Sequence, residues 1–376
     1  MGACSCSHSI RPMAVPGPAG PVVLDSRGVF AGEGDGFRKI PAEGITQLQA
    51  INGEVWGTCD QGCGARRLLL GPERGLTKRD GLLDDRVSRM VSPTPGVTFF
   101  SYDPKLDLGV SVLSGTVWTH YSAYNSALAS GRVAELVSDA LGGVWVKFKE
   151  ERMGVARIFD GRAVNFTSAN SALPYDTVEI VAPEPPDRGL SGHQVWLATV
   201  DGLTRFDLGT SEWKHYGRRH GDATDFLRMT GLDSLFGRAV TGINGIAFTG
   251  SEAWISTRSG LFRFDADSFH PVPADFTGGM EKLCISSIAS SGEVVWVSLE
   301  NIDSRKQEAV ASWTSGNKWR IFRLDDFAIR APGKVYFSPI GDGLFLQAPE
   351  WGGQILVSHA DGFQVVNINP DLKKSY

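Results

Sequence analysis

The sequence predicts an all-β fold, a β-propeller of four-stranded blades, and the first reason is a unit that recurs. QVWLATVDGLTRFDLGTSEWKHY, ending at Tyr216, reads as an aromatic strand, a Gly turn, a second strand, a hairpin turn and a third strand. It returns as AWISTRSGLFRFDADSFHPV from Ala253 and stands upstream as VWVKFKEERMGVARIFDGRAVNF from Val144. Repeats of about 40 to 50 residues built from short strands signal a propeller or solenoid. Composition agrees: among 376 residues are 45 Gly, 19 Pro, 10 Trp and 20 Phe, the currency of turns and packed sheets. At that length a closed repeat array remains one domain, because each unit buries its face against its neighbours.

Each unit opens on an apolar lead-in strand, as in Val133–Val137, Thr177–Val181, Val240–Phe248 and Leu283–Ile288. A central strand follows, marked by Trp56, Phe99-Phe100, Trp145, Trp196, Trp254, Trp296 and Phe345. That gives seven full-length units over about residues 44–370. Pro21–Asp25, Gly28–Ala31 and Phe37–Ile40 supply three further short strands, with Ser9–Val15 as their lead-in. Pro12 there lacks a ladder donor, which an inner edge tolerates. Eight blades are therefore favoured over seven, within a single domain at 9–370 between a disordered tail at 1–8 and a C-terminal tail at 371–376. The central Trp rings are expected to fill the space between adjacent twisted sheets, each burying about 150 to 250 Å². Trp118, Trp213 and Trp319 fall on outer strands and are expected to be structural.

Charge and cysteine usage narrow the partners. A net charge of −5 argues against phosphate-driven nucleic-acid binding. No apolar run is long enough to span a bilayer, and the N-terminus lacks a basic start followed by an apolar stretch. A cytoplasmic protein is expected, with an extracytoplasmic one as the alternative if a signal has been removed. Met1–Cys6 approaches a lipidation signal but carries Cys6 where Ser or Thr is required. Five cysteines without a CxxC pair indicate neither a disulfide framework nor a zinc site, so Cys59 and Cys63 are expected to be reduced thiols in a turn. No cofactor and no metal site is expected, and the chain is expected to be a monomer.

VWxxTxxGLxRFD at Val195–Asp207 resembles the two-component regulator propeller repeat family. So do Tyr124-Asn-Ser-Ala-Leu128 and Asn170-Ser-Ala-Leu173, each shortly before a lead-in strand. The pattern is clear over about residues 75–265. The resemblance implies a ligand-sensing or interaction propeller, often the extracytoplasmic input half of a sensor kinase.

In a propeller, the loops leaving the central strands gather with the inter-blade loops at one mouth of the axis, where concave sites form. Here those loops carry Asp60, Lys147 and Lys149, Asp201, Arg258, Glu300 and Trp351 as candidate ligand-binding residues. Lys147, Lys149 and Arg258 suit charge-assisted bonds to a carboxylated or polyanionic ligand, and Trp351 suits stacking on a ring. Catalytic residues are not assignable: GxSxG, HExxH and GxxxxGK[ST] are all missing. His120 and His215 occupy the same place in their repeats and are expected to be structural. Asp265-Ala-Asp267 falls in a hairpin turn where Asp serves local bonding. The insertion Gly217–Arg238 has near-helical apolar spacing and is expected to form a lid or partner-contact loop.

The leading expectation is a non-catalytic propeller binding a small molecule or protein at its mouth. The alternatives are a lyase or hydrolase resembling streptogramin lyase, with a carboxylate-lined and metal-assisted axial site, and a protein-interaction scaffold.

Overall fold

A computed structural model describes residues 13–367 apart from 26, 34–35, 60, 70–74, 187–190, 201, 218–241, 258–259, 266–267, 274–281, 292, 305, 315–317, 324–335, 341–342, 348–353 and 360–361, with backbone alone for 336–367. Every described sheet is four-stranded, antiparallel and drawn from one contiguous stretch. We number the blades 1 (residues 13–40), 2 (47–76), 3 (87–121), 4 (133–166), 5 (178–217), 6 (243–271) and 7 (283–323). The first strands of successive sheets adjoin one another, which makes them the inner wall of a ring.

The blade count expected from sequence needs correction. Seven blades are joined in series by described apolar cores, from blades 1–2 through blades 6–7. An eighth four-stranded sheet, residues 336–367, is defined by strand pairing alone, its first strand adjoining those of blades 7 and 1. Described side-chain cores therefore join seven blades, against the eight favoured from sequence.

Local chemistry explains the strands and turns. Asn52-Gly53 and Asp160-Gly161 both take positive φ between paired residues, the two-residue turn whose twist matches that of the flanking strands. The Asn-Ser-x-Leu motif folds alike at both its copies. Asn125 Oδ1 accepts from the Ser122 N–H and Asn170 Oδ1 from the Thr167 N–H, each at 2.8 Å. Ser126 and Ser171 then cap the turn by donating to the carbonyls of Ser122 and Thr167 at 2.7 Å. Leu128 and Leu173 follow as buried plugs between blades.

The Trp rings pack between blades as expected, and all of Trp145, Trp196 and Trp254 are essentially fully buried. Phe206 meets Trp145 edge-on at 5.5 Å, Phe264 meets Trp196 at 5.0 Å, and Trp313 meets Trp254 at 4.6 Å. Their indole N–H groups are satisfied from the same point of the inner strand. Asp139 accepts from Trp145 at 3.0 Å, Glu184 from Trp196 at 3.0 Å and Thr249 from Trp254 at 2.9 Å. Asp139 also accepts from Arg157 Nε at 2.8 Å and from the N–H groups of Leu141 and Gly143, so a buried carboxylate is fully bonded.

His120 and His215 stand at matching ladder positions, bonded through Nδ1 to Ser111 and Thr204 at 2.8 and 2.9 Å. Burial lowers the His120 pKa below the ordinary imidazole value. Asp265 bonds His270 within its own hairpin at 2.9 Å, in keeping with a local role.

One cysteine expectation is overturned: Cys59 and Cys63 are joined by a disulfide, their Cα atoms 5.6 Å apart. Gly62, at positive φ between them, turns the chain so that the two side chains meet.

Candidate binding mouth

The inner strands carry a feature that repeats as faithfully as the Trp. In blades 3 to 7 the first strand shifts register against the second at one equivalent step. The residues left out of the ladder are Ser88, Ala134, Glu179, Asn244 and Ser286. Each lies one residue past an apolar anchor (Val87, Val133, Val178, Ile243, Ile285), towards the end of the strand facing the exit loops. A bulge re-aims side chains and ends regular pairing, which is why bulges concentrate beside binding sites.

Polar bonds run from blade to blade along this belt. Arg89, beside the blade 3 bulge, reaches Gln47 Oε1 of blade 2 at 3.5 Å. Lys147 Nζ donates to the Glu179 carbonyl of blade 5 and lies 3.7 Å from Glu135 Oε2. Asn244 Nδ2 donates to the Ile285 carbonyl of blade 7 at 2.6 Å. Ser286 shares its hydroxyl with Ser298 at 2.6 Å and accepts from Gln307 Nε2 at 2.7 Å. Burial raises the Glu179 pKa, an effect that the Lys147 charge opposes.

Lys147 breaks the pattern of its own position. The residues equivalent to it in the ladder are Ser101, Ala198, Ser256 and Ser298, all small and fully buried. A long cation there emerges at the belt and is held between two blades.

Of the residues expected from sequence, Lys147 and Glu300 are tied to this belt, Glu300 by accepting from Gln307 at 3.4 Å. Lys149 is exposed on the exit loop, its backbone N–H donating to the Arg132 carbonyl at 2.8 Å. Asp60, Asp201, Arg258 and Trp351 lie outside the described residues, as does the insertion from residue 218 to 238. Sequence reading centred on the exit loops and missed Arg89, Glu135, Glu179 and Asn244. The available signal was spacing: Val133 to Leu136, Val178 to Val181, Ile243 to Ile246 and Ile285 to Ile288 set apolar anchors three apart, which strict strand alternation forbids.

Among the described residues no group of three or more His, Cys, Asp and Glu is arranged to hold a metal ion. No helix among them is long and apolar enough to cross a membrane.

No family model and no curated protein sequence matches the chain. Solved structures share its fold at low identity. Apo AztD from Citrobacter koseri is 10% identical, with 93% of this chain and 92% of that one covered and a TM-score of 0.51. The extracellular domain of the putative hybrid two component system BT4673 from B. thetaiotaomicron is 14% identical, covering 93% of this chain and 46% of that one, TM-score 0.49. The same protein's domain, solved as a putative one component system, is 12% identical over 96% of this chain and 52% of that one, TM-score 0.46. The chain thus spans about half the length of that extracellular domain. At 10% identity the likeness to AztD bears on the fold alone.

Proposed function

We propose that the chain is a non-catalytic binding propeller whose ligand sits on the bulge belt at the mouth of the ring. The observation that supports this most is a single backbone device, repeated in five blades, that presents four kinds of side chain over its five positions. A frame kept constant while its side chains vary suits recognition better than packing. The belt sets Lys147 beside Glu135 and Glu179, with Arg89 at the ladder position of Glu135 one blade away, so the ligand class that fits is small and zwitterionic, a free amino acid or short peptide end. Its carboxylate would take charge-assisted bonds from the cations and its ammonium would face Glu135 and Glu179.

An extracytoplasmic setting is part of this reading. The Cys59–Cys63 disulfide belongs to an oxidising compartment, where such bonds persist. Thiol labelling of denatured protein from cells, with two further thiols labelled only after reduction, would support it.

The reading is tested by isothermal titration with amino acids and dipeptides, in wild type and K147M. A charged hydrogen bond contributes about 1.5–3 kcal/mol, so K147M should weaken binding about 10- to 100-fold. Binding untouched by K147M, or none by any of these probes, overturns the site. A divalent metal that shifts the melting temperature instead would favour the lyase or hydrolase reading.

A further inference from the structure

The interface between blades 2 and 3 follows the common plan with two parts missing. Trp56 pairs with Arg67 across the ladder as Trp145 pairs with Arg157. The residue two beyond the inner partner of the Trp is Asp139, Glu184 or Thr249 in blades 4, 5 and 6, and it accepts the indole N–H. In blade 2 that residue is Ile51. Trp56 Nε1 is accordingly buried without a hydrogen-bond partner. An unmet buried donor is uncommon and calls for a physical reason.

The second missing part is a ring. The third-strand position that holds Phe206, Phe264 and Trp313, each packed on the preceding blade's Trp, holds Leu113 in blade 3. The space is not closed by other side chains. A cleft of about 220 Å³ remains, lined by Trp56, Arg67, Met90, Phe100 and Leu113, with Ile51 at one wall. An apolar cavity of about 150 Å³ is enough to hold benzene.

We propose that this cleft binds a small aromatic carboxylate. The ligand restores both missing parts at once. Its ring packs on Trp56 where Leu113 falls short of Phe206, with Met90 and Phe100 on the opposing blade. Its carboxylate takes the place of Asp139, whose Oδ2 accepts from Trp145 Nε1 at 3.0 Å and from Arg157 Nε at 2.8 Å. Trp56 and Arg67 are the matching donors. Arg67 already lies over the Trp56 ring, 5.0 Å from its centroid, and is held at the rim by Glu54 at 3.1 Å. The cleft opens between the Asn52 and Gly96 turns, at the end of the blades opposite the bulge belt, so it is a site separate from the mouth.

The test is ligand-observed NMR and titration calorimetry on the full chain with benzoate, against toluene (ring without charge) and acetate (charge without ring). Benzoate is expected to bind at least tenfold more tightly than either. L113F fills the ring position and I51D supplies the acceptor internally, so each should weaken benzoate at least tenfold while leaving the melting temperature unchanged or raised. R67Q should weaken it without filling the cleft, which keeps the test decisive if a filling variant fails to fold. No benzoate binding to wild type, meaning a cleft occupied by water only, overturns the proposal. So does binding unchanged in the variants that fold. Amino acids bound at the mouth should not compete, which separates failure here from failure of the mouth reading.

Discussion

The interface between blades 4 and 5 and the belt around the mouth are cut from the same strands, yet they obey opposite requirements. At the interface one solution recurs: a Trp, its acceptor, an Arg opposite and an aromatic from the next blade. At the belt only the backbone recurs, and the side chains run from alanine to glutamate. The interface is dry and closely packed, so a changed side chain leaves a void or an unmet polar group. The belt residues stand outside the ladder and are only half-buried, so a change there is expected to cost less than one at the interface. Repetition thus fixes the parts the fold needs and leaves the belt side chains free to vary.

The comparison breaks most sharply at Trp145. W145A should destabilise the chain by about 3–5 kcal/mol, read from chemical denaturation, since the ring is fully buried against Phe206 and Phe166. A loss near that expected of an exposed site would deny the interface its role. D139A removes the acceptor shared by Trp145 and Arg157 and should cost about 3 kcal/mol, the scale for stranding one partner of a buried ion pair. Replacing Cys59 and Cys63 by Ser should cost about 2 kcal/mol on the chain-entropy account of so short a loop. A smaller shift still is expected from A134S at the belt, about 0.5 kcal/mol or less, as for surface changes generally. If A134S costs as much as D139A, the belt is packing and not a recognition surface.

Glu179 sharpens the contrast through pH. Burial holds its folded pKa above the unfolded value. The unfolded chain therefore loses this proton first as pH rises. The associated stability is present below the unfolded pKa and is lost as pH climbs through the folded one. E179Q should flatten the melting-temperature profile from pH 4 to 7 and be the more stable form at pH 7. An unchanged slope would mean that the Lys147 charge already cancels the burial.

The sequence made the interface legible because its parts are large and periodic: Trp196, Phe206 and the Asn-Ser-Ala-Leu turns announce themselves by type and spacing. Lys147 stood out for the same reason, as charge where its repeats carry small residues. Glu179 and Asn244 did not, because a bulge is a fault in strand register, visible only as an apolar spacing of three in place of two. The Cys59–Cys63 bond was hidden by its context. An odd cysteine count without a CxxC pair gives no hint that a glycine turn will close a five-residue loop. The seven units marked by Trp and Phe include the sheet at 336–367 and leave out blade 1, which has no Trp or Phe on its central strand; the seven blades joined by described cores include blade 1 and leave out that sheet.

The bulges also give the molecule something of an instrument's keyboard. Five backbone sites of common geometry stand on five separate blades, outside the strand ladder. A library varied at Ser88, Ala134, Glu179, Asn244 and Ser286 alone would sample many mouths on one body.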